Sequence, residues 1–240
     1  MSYVYGKNAV HEKLKQKSEI DEILIQKGSK NNDVERMAKE KRIRIRYVEK
    51  RELDRICEGG NHQGVAVKAE DYKTYSLADL INQTPKGKYP LLVMLDGLED
   101  PHNLGAILRT CDAVGADGVI IGKHRSVGLT STVAKVSTGA IEHVKVAQVT
   151  NLRQALDELK EQGYWVVGTD AHEAIDYRDF VCDMPLVVVI GSEGKGISRI
   201  VLDACDYKVA LPMVGHVNSL NASVATAVLL YQVYNKRNPR

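Results

Sequence analysis

At 240 residues with 44% apolar side chains, the chain can fill one large or two small domains. Its net charge of +2 does not by itself imply a polyanion partner. Cys57, Cys111, Cys182 and Cys205 are far apart and form no CxxC pair, which argues against a zinc site or a disulfide framework and fits a reducing cytosol. The N-terminus lacks an apolar signal core and no run reaches the ~20 apolar residues that span a bilayer, so we expect a soluble cytoplasmic protein without membrane partner or bound metal.

The first 70 residues alternate short helices and strands. Lys7 to Gln16 reads as a helix, Glu22 to Gln26 as a strand and Asn32 to Lys41 as a helix. Ile43 to Val48 alternates apolar and charged residues like a half-buried strand, and Lys50 to Cys57 reads as a helix stopped by Gly59 and Gly60. A turn, Asn61 to Gly64, leads into the strand VAVKA. Residues 1–75 hold 17 Lys and Arg against 13 Asp and Glu, and the remainder 16 against 18, so the front is +4 and the back −2. The cations Lys39, Lys41, Arg42, Arg44, Arg46, Lys50, Arg51 and Arg55 fit a phosphate-binding surface or an ordinary solvated helix and strand equally well.

Residues 71–90, polar and carrying Pro85, Gly87 and Pro90, read as a linker with one short helix at Ser76 to Asn82. Beyond it, apolar runs recur as LLVML, GVII, WVVG and PLVVVIG. Runs that are continuous rather than alternating indicate a parallel sheet covered by helices on both faces. The helices between them are expected at Asn103 to Val114, Ser131 to Ser137, Asn151 to Gln162 and Ile197 to Cys205.

In such sheets ligands bind beyond the carboxyl ends of the strands, and three loops there are unusual. In DGLEDPHNLGAILRTCDAVGA, Leu104, Ile107, Leu108, Cys111 and Val114 form one apolar stripe. Arg109 lies about 140° away from Leu104 and faces out, with Gly105 one turn back leaving room for an approaching group. In IGSEGKGIS the spacing is GxxGxG, not the GxGxxG of dinucleotide folds. Its glycines permit a backbone to come near a ligand, and Glu193 disfavours a pyrophosphate but suits a sulfonium or amino group. The third loop holds Pro212, Met213, Gly215, Asn218, Ser219 and Asn221, then enters a segment filled with Ala, Val, Leu and Tyr. That segment reads as a helix capped by Ser219 or Asn221, apolar all round, and therefore buried in a core or a subunit interface.

DPHNLGAILRTCDAVGADGV, LVVVIGSEGKGIS and LPMVGHVNSLNASVATAVLLY, in this order, resemble the three motifs of the SpoU or TrmH branch of the SPOUT methyltransferases. The front, from YGKNAVHEKL to NHQGVAVKA, resembles the L30e-like substrate-binding domain of that family, so the likeness covers nearly the whole chain. It implies an α/β fold with a small L30e-like domain (1–70), a linker (71–90) and a trefoil-knotted, Rossmann-like SPOUT domain with a mostly parallel sheet (91–240). The activity implied is transfer of a methyl group from S-adenosyl-L-methionine to a ribose 2′-hydroxyl, most similar to the bacterial 23S rRNA guanosine enzymes, by a homodimer joined through the C-terminal domain. The 2′-hydroxyl selects RNA over DNA. Aligned by motif, Asn103, Arg109, Glu193, Ser219 and Asn221 fall on the family's catalytic positions, and Gly191, Leu211, Met213, Leu220, Ile190, Gly194 and Thr169 on its cofactor contacts. Arginine is a poor base, so Arg109 is expected to stabilise alkoxide charge or position a phosphate, with a general-base role as the alternative. Arg42, Arg44, Arg46 and Lys50 are the expected RNA contacts of the front, with His62 and Gln63 serving either RNA or the turn. The alternatives are a tRNA substrate or a non-enzymatic RNA-binding protein.

Overall fold

The computed structural model describes residues 2–15, 20–57, 59–69, 72–82, 89–170, 174–217 and 219–239. The chain divides into two units, Met1–Tyr72 with Leu129–Ser131 and Lys73–Gly128 with Thr132–Arg240.

The first unit runs β1 (Ser2–Tyr5), α1 (Lys7–Lys15), β2 (Ile20–Gln26), α2 (Asn32–Glu40), β3 (Arg44–Val48), α3 (Lys50–Ile56) and β4 (Val65–Ala69). Gln16, expected to end α1, lies outside the described residues. The strands form one sheet in the order β1-β4-β2-β3, with β2 and β3 parallel and the other pairs antiparallel. Because strand side chains alternate, Ile23, Ile25, Val65 and Val67 pack with Val10 and Leu14 of α1 and Val34 and Ala38 of α2, while Leu24, Val48 and Ala66 pack with Leu53 of α3. The strand β1 was not anticipated, although Gly6, at φ 90°, sets its four residues SYVY off from the helix after it.

Several front cations are already neutralised. Glu22 pairs with Arg44 at 3.4 Å and Arg46 at 3.1 Å, Arg46 reaches Glu52 at 2.6 Å, and Lys39 reaches Glu35 at 2.7 Å. Arg44 and Arg46 thus carry carboxylate partners at the surface. His62 is buried, placing Nε2 2.9 Å from Asp54 and accepting the Gly64 N–H on Nδ1, and Gln63 accepts the first N–H of α1 from Lys7 at 2.9 Å. Both side chains are occupied by the turn.

The second unit continues with α4 (Leu77–Ile81), β5 (Leu91–Asp96), α5 (Pro101–Val114), β6 (Gly118–Gly122), α6 (Ser131–Ser137), a 3-10 turn (Ala140–Glu142), β7 (Val146–Val149) and α7 (Leu152–Glu161). There follow β8 (Trp165–Thr169), β9 (Ile175–Asp176), β10 (Leu186–Gly191), α8 (Arg199–Leu202), β11 (Tyr207–Ala210) and α9 (Ala222–Arg237). Within the stretch read as a linker, Tyr75 bridges to Ala147 beside β7, and Leu77 and Leu80 of α4 are buried in this unit's core. The sheet order is β7-β6-β5-β10-β8-β11-β9 and every pairing is parallel. The expected mostly parallel α/β sheet is present.

Leu92, Met94, Ile120, Val166, Val187 and Val189 pack with α4, α7 and α8. On the other side α5 packs on α9 and α9 on β10. Gln232, Lys236 and Arg237 of α9 then hold the 178–184 segment through its carbonyls. Lys236 donates to Phe180 at 2.6 Å, and Arg237 donates to Tyr89, Cys182 and Met184 at 2.7 to 2.8 Å.

Two expectations are corrected. The helix expected over Ile197 to Cys205 is the single turn α8, since the closing bonds Ala204 N–H to Val201 and Cys205 N–H to Leu202 span three residues and tighten the chain. Gly105 leaves no open approach, because a Cβ there would press on the Val136 side chain and the Val133 carbonyl, so it serves helix packing. The last helix, expected in a core or a subunit interface, buries Leu229, Leu230 and Val233 within the chain and leaves Val224, Tyr231 and Tyr234 42 to 48% exposed.

Candidate active site

The β5 strand heads into a loop closed by a well-capped helix. Asp100 accepts the His102 N–H at 2.8 Å, Pro101 occupies the first helical position, and Gly115 ends α5 at φ 71°. This places Asn103, 5% exposed, in the first turn of α5. Since β5 and β10 are neighbours in the sheet, the loop after β10 arrives beside it. Ser198 N–H donates to Asp96 at 2.7 Å and ties the two loops together. Asp96 was overlooked in the sequence; its place at the carboxyl end of a buried strand is the signal that marks it.

The loop after β10 closes on itself. Ser192 and Gly196 exchange N–H to carbonyl bonds of 3.1 and 2.9 Å, and Gly194 and Gly196 take φ of 83° and 66°. A Cβ on Gly191 would overlap the Gly196 and Ile197 backbone. The glycines thus first serve the loop's own closure, which presents Glu193 outward. Gly191→Ala should force this loop out of place, destabilise the protein by about 1–3 kcal/mol and weaken cofactor binding by more than 10-fold, measured by thermal melting and titration calorimetry. Gly194, with open space around its Cβ position, bears only the positive-φ cost, so Gly194→Ala should lose about 1 kcal/mol.

Asn221 joins the pieces. Its Oδ1 caps α9 by accepting from Ser223 N–H at 2.9 Å and Val224 N–H at 3.3 Å. Its Nδ2 donates to Asn103 Oδ1 at 2.9 Å and Glu193 Oε1 at 2.6 Å. Asn103 Nδ2 donates to the same Glu193 oxygen at 3.0 Å. Three side chains from α5, the β10 loop and the α9 cap form a closed triangle around one carboxylate oxygen.

Beside it opens a cleft of about 980 Å³ between the carboxyl ends of β8, β10 and β11 and the 211–221 loop. Thr169, Ile190, Gly191, Gly194, Leu211, Met213 and Leu220 all line it, as do Glu193, Ser219 and Asn221. Ser219 makes no side-chain hydrogen bond among the described residues, and Asn218 lies outside them. Arg109 is not brought to this place: it is exposed on α5, outside the cleft lining and without a side-chain bond to the triangle. Burial pushes the Cys111 and Cys205 thiols up to about 12, so neither supplies a thiolate. Among the described residues no group of three His, Cys, Asp or Glu could hold a metal ion, and no helix is long and apolar enough to cross a membrane.

Two family models divide the chain, the SpoU rRNA Methylase family over residues 90–231 and the RNA 2′-O ribose methyltransferase substrate binding model over residues 3–75. This protein belongs to the SpoU methylase family, a family of RNA methyltransferases. A Staphylococcus haemolyticus protein assigned to the TrmH family of tRNA/rRNA methyltransferases is 53% identical over 240 residues, covering 98% of this chain and 96% of that one. The AdoMet-bound rRNA methyltransferase of Sinorhizobium meliloti shares the fold at 22% identity and a TM-score of 0.74, covering 100% of this chain and 88% of its own. The A. aeolicus TrmH/SpoU tRNA modifying enzyme, 32% identical with a TM-score of 0.58, covers 67% of this chain and 82% of its own.

Proposed function

We propose that this protein methylates a ribose 2′-hydroxyl of 23S rRNA, at a guanosine, using S-adenosyl-L-methionine, and that it works in the cytoplasm as a homodimer. The observation that carries this reading is the Asn103–Glu193–Asn221 triangle at the cleft. Ile190, Leu211, Met213 and Leu220 offer an apolar bed for an adenosine, and the Glu193 carboxylate offers complementary charge to a sulfonium. Bound there, S-adenosyl-L-methionine supplies an electrophilic methyl carbon that the ribose 2′-oxygen takes by in-line displacement. Asn103 and Asn221 fix the Glu193 carboxylate, and Ser219 borders the space that the ribose would enter. Alignment is the main contribution asked of the protein.

Arg109, outside the lining of its own protomer's cleft, completes the site of the partner and stabilises charge developing on the 2′-oxygen. The exposed Val214, Val217 and Leu220 of the 211–221 loop, with Val224, Tyr231 and Tyr234 of α9, supply apolar surface for that dimer. In this reading the 211–221 segment belongs to a trefoil knot, and the front unit is the RNA-holding domain, joined by the segment after residue 70. The ribosomal substrate is favoured over tRNA because the S. meliloti rRNA enzyme matches both units, whereas the A. aeolicus tRNA enzyme covers only two thirds of this chain.

Incubation with labelled S-adenosyl-L-methionine and either 23S rRNA or total tRNA tests this. The expected product is a labelled 2′-O-methylguanosine in 23S rRNA. Label in tRNA alone would keep the chemistry and overturn the substrate. No label, together with no thermal shift on adding S-adenosyl-L-methionine, would leave a non-enzymatic RNA-binding protein.

A further inference from the structure

Lys123, His124 and Arg125 stand in a row on the loop that leaves β6, and all three are exposed. Among the described residues none of their side chains has an ion pair, a hydrogen bond or a ring contact. This sets them apart from Lys39, Arg44 and Arg46 of the front unit, whose charges are met by Glu35, Glu22 and Glu52. Three cationic or titratable side chains left without carboxylates are a surface for an anion.

Their position says which anion. β6 lies beside β5 in the parallel sheet, so its loop emerges at the same carboxyl edge as the active site. Val127 N–H donates to Leu98 at 2.8 Å, fastening this loop to the one that leads into α5 and Asn103. That loop is in turn fastened to the β10 loop through Asp96 and Ser198. The cleft and the cations therefore flank the triangle on opposite sides, within one unit of the fold.

Arg125 also stands in an uncommon backbone conformation. It holds φ at 54°, where an L side chain is disfavoured and Gly or Asn is the usual solution. Gly122 two residues before the turn is also tight, since a Cβ on it would come 3.1 Å from the His124 carbonyl. Arg42, Gln63 and Thr138 hold similar angles, so the conformation marks a tight turn that aims the side chain outward, and the missing carboxylate partners carry the argument.

We infer that this loop grips the RNA strand next to the reacting ribose, with Lys123 and Arg125 holding its phosphates. The inference rests on the RNA methylation reading above and deepens it. A 2′-oxygen lies within one nucleotide of two phosphates, so fixing those phosphates fixes its line of attack. A guanidinium holds a phosphate with two parallel hydrogen bonds, while the ammonium acts as a point charge.

The test is the full-length Lys123→Ala/Arg125→Gly double variant and the Arg125→Gly single variant, with 23S rRNA and total tRNA as probes. Binding of each RNA is measured between 50 and 200 mM KCl, roughly the range over which phosphate contacts are lost. The double variant should bind about 10-fold more weakly and show a log K against log salt slope shallower by roughly 1.4, the value for two phosphates on a single strand. Its KM for RNA should rise in step and its kcat should fall, because the 2′-oxygen is no longer held in line, while the thermal shift with S-adenosyl-L-methionine stays at its wild-type value. Arg125→Gly should melt at the wild-type temperature or above, because the strained φ suits glycine. An unchanged salt slope and KM would overturn the grip, as would a fall in melting temperature and kcat at constant slope, which marks a structural loop. If the wild type methylates neither RNA, the functional reading fails, and the binding slopes still decide the grip by themselves.

Discussion

Asn221→Ser should leave the protein folded within a few degrees of its normal melting temperature and slow methyl transfer by about 100-fold. The two halves of the Asn221 side chain do different work. Its Oδ1 caps α9 through Ser223 and Val224, and serine is an equally good N-cap, so the helix start is kept. Its Nδ2 holds Asn103 and Glu193, and serine has nothing to put there. Losing those bonds beside water costs about 1 kcal/mol, worth about 2–4 °C in a chain of this size.

Glu193 then keeps one amide partner, Asn103, and its carboxylate is free to turn away from the cleft. Asn221→Ala should show the same rate loss and melt lower by about another 1 kcal/mol, because the cap goes too. Asn221→Asp would keep the cap but set a second carboxylate against Glu193, so it should be slower than Asn221→Ser despite its better helix start. Differential scanning fluorimetry beside single-turnover methyl transfer separates these outcomes. Full activity in Asn221→Ser would mean that the triangle only staples the loops.

The sequence made the sheet legible where its strands are covered on both faces. LLVML and PLVVVIG are continuous because β5 and β10 are buried along their full length. The edges were harder to see: β9 has two residues, Ile175 and Asp176, and β11 reads YKVA, too short for a period to show. Helix type was legible in α5, whose stripe is buried from Leu104 to Cys111 and half-buried at Val114, yet the role of Gly105 was not, because Val136 approaches it from a helix 26 or more residues later.

The same limit applies to charge. A run from Lys39 to Arg55 reads as basic, but Glu22 reaches Arg44 and Arg46 from the neighbouring strand β2, a pairing the run itself does not reveal. In the site, motif alignment named Asn103, Glu193 and Asn221, and folding supplied what alignment cannot: one carboxylate oxygen shared by two amides from positions 118 residues apart. An all-apolar helix likewise announces burial without saying against what. For α9 part of the answer is α5 and β10, and the exposed Tyr231 and Tyr234 remain for another surface.

That remaining surface leads to the second large effect. Arg109→Ala should lower kcat by about 100- to 1000-fold, the range for removing a group aimed at developing charge. Its affinity for S-adenosyl-L-methionine should not change, because Arg109 lies outside the cleft lining. Co-expression of Arg109→Ala with Asn221→Ser under two different tags, followed by purification on both, isolates a heterodimer of two disabled chains. If each cleft is completed by the partner's arginine, one cleft of this heterodimer has an intact triangle facing an intact Arg109, and the other has neither. A two-fold assembly then recovers about half of the wild-type activity from two inactive parents. If Arg109 served its own cleft, each site would carry one lesion and the heterodimer would be as slow as the parents. A heterodimer without activity, from parents that bind RNA and cofactor normally, would place Arg109 in its own protomer's chemistry and require the α5 helix to move toward the cleft when RNA binds.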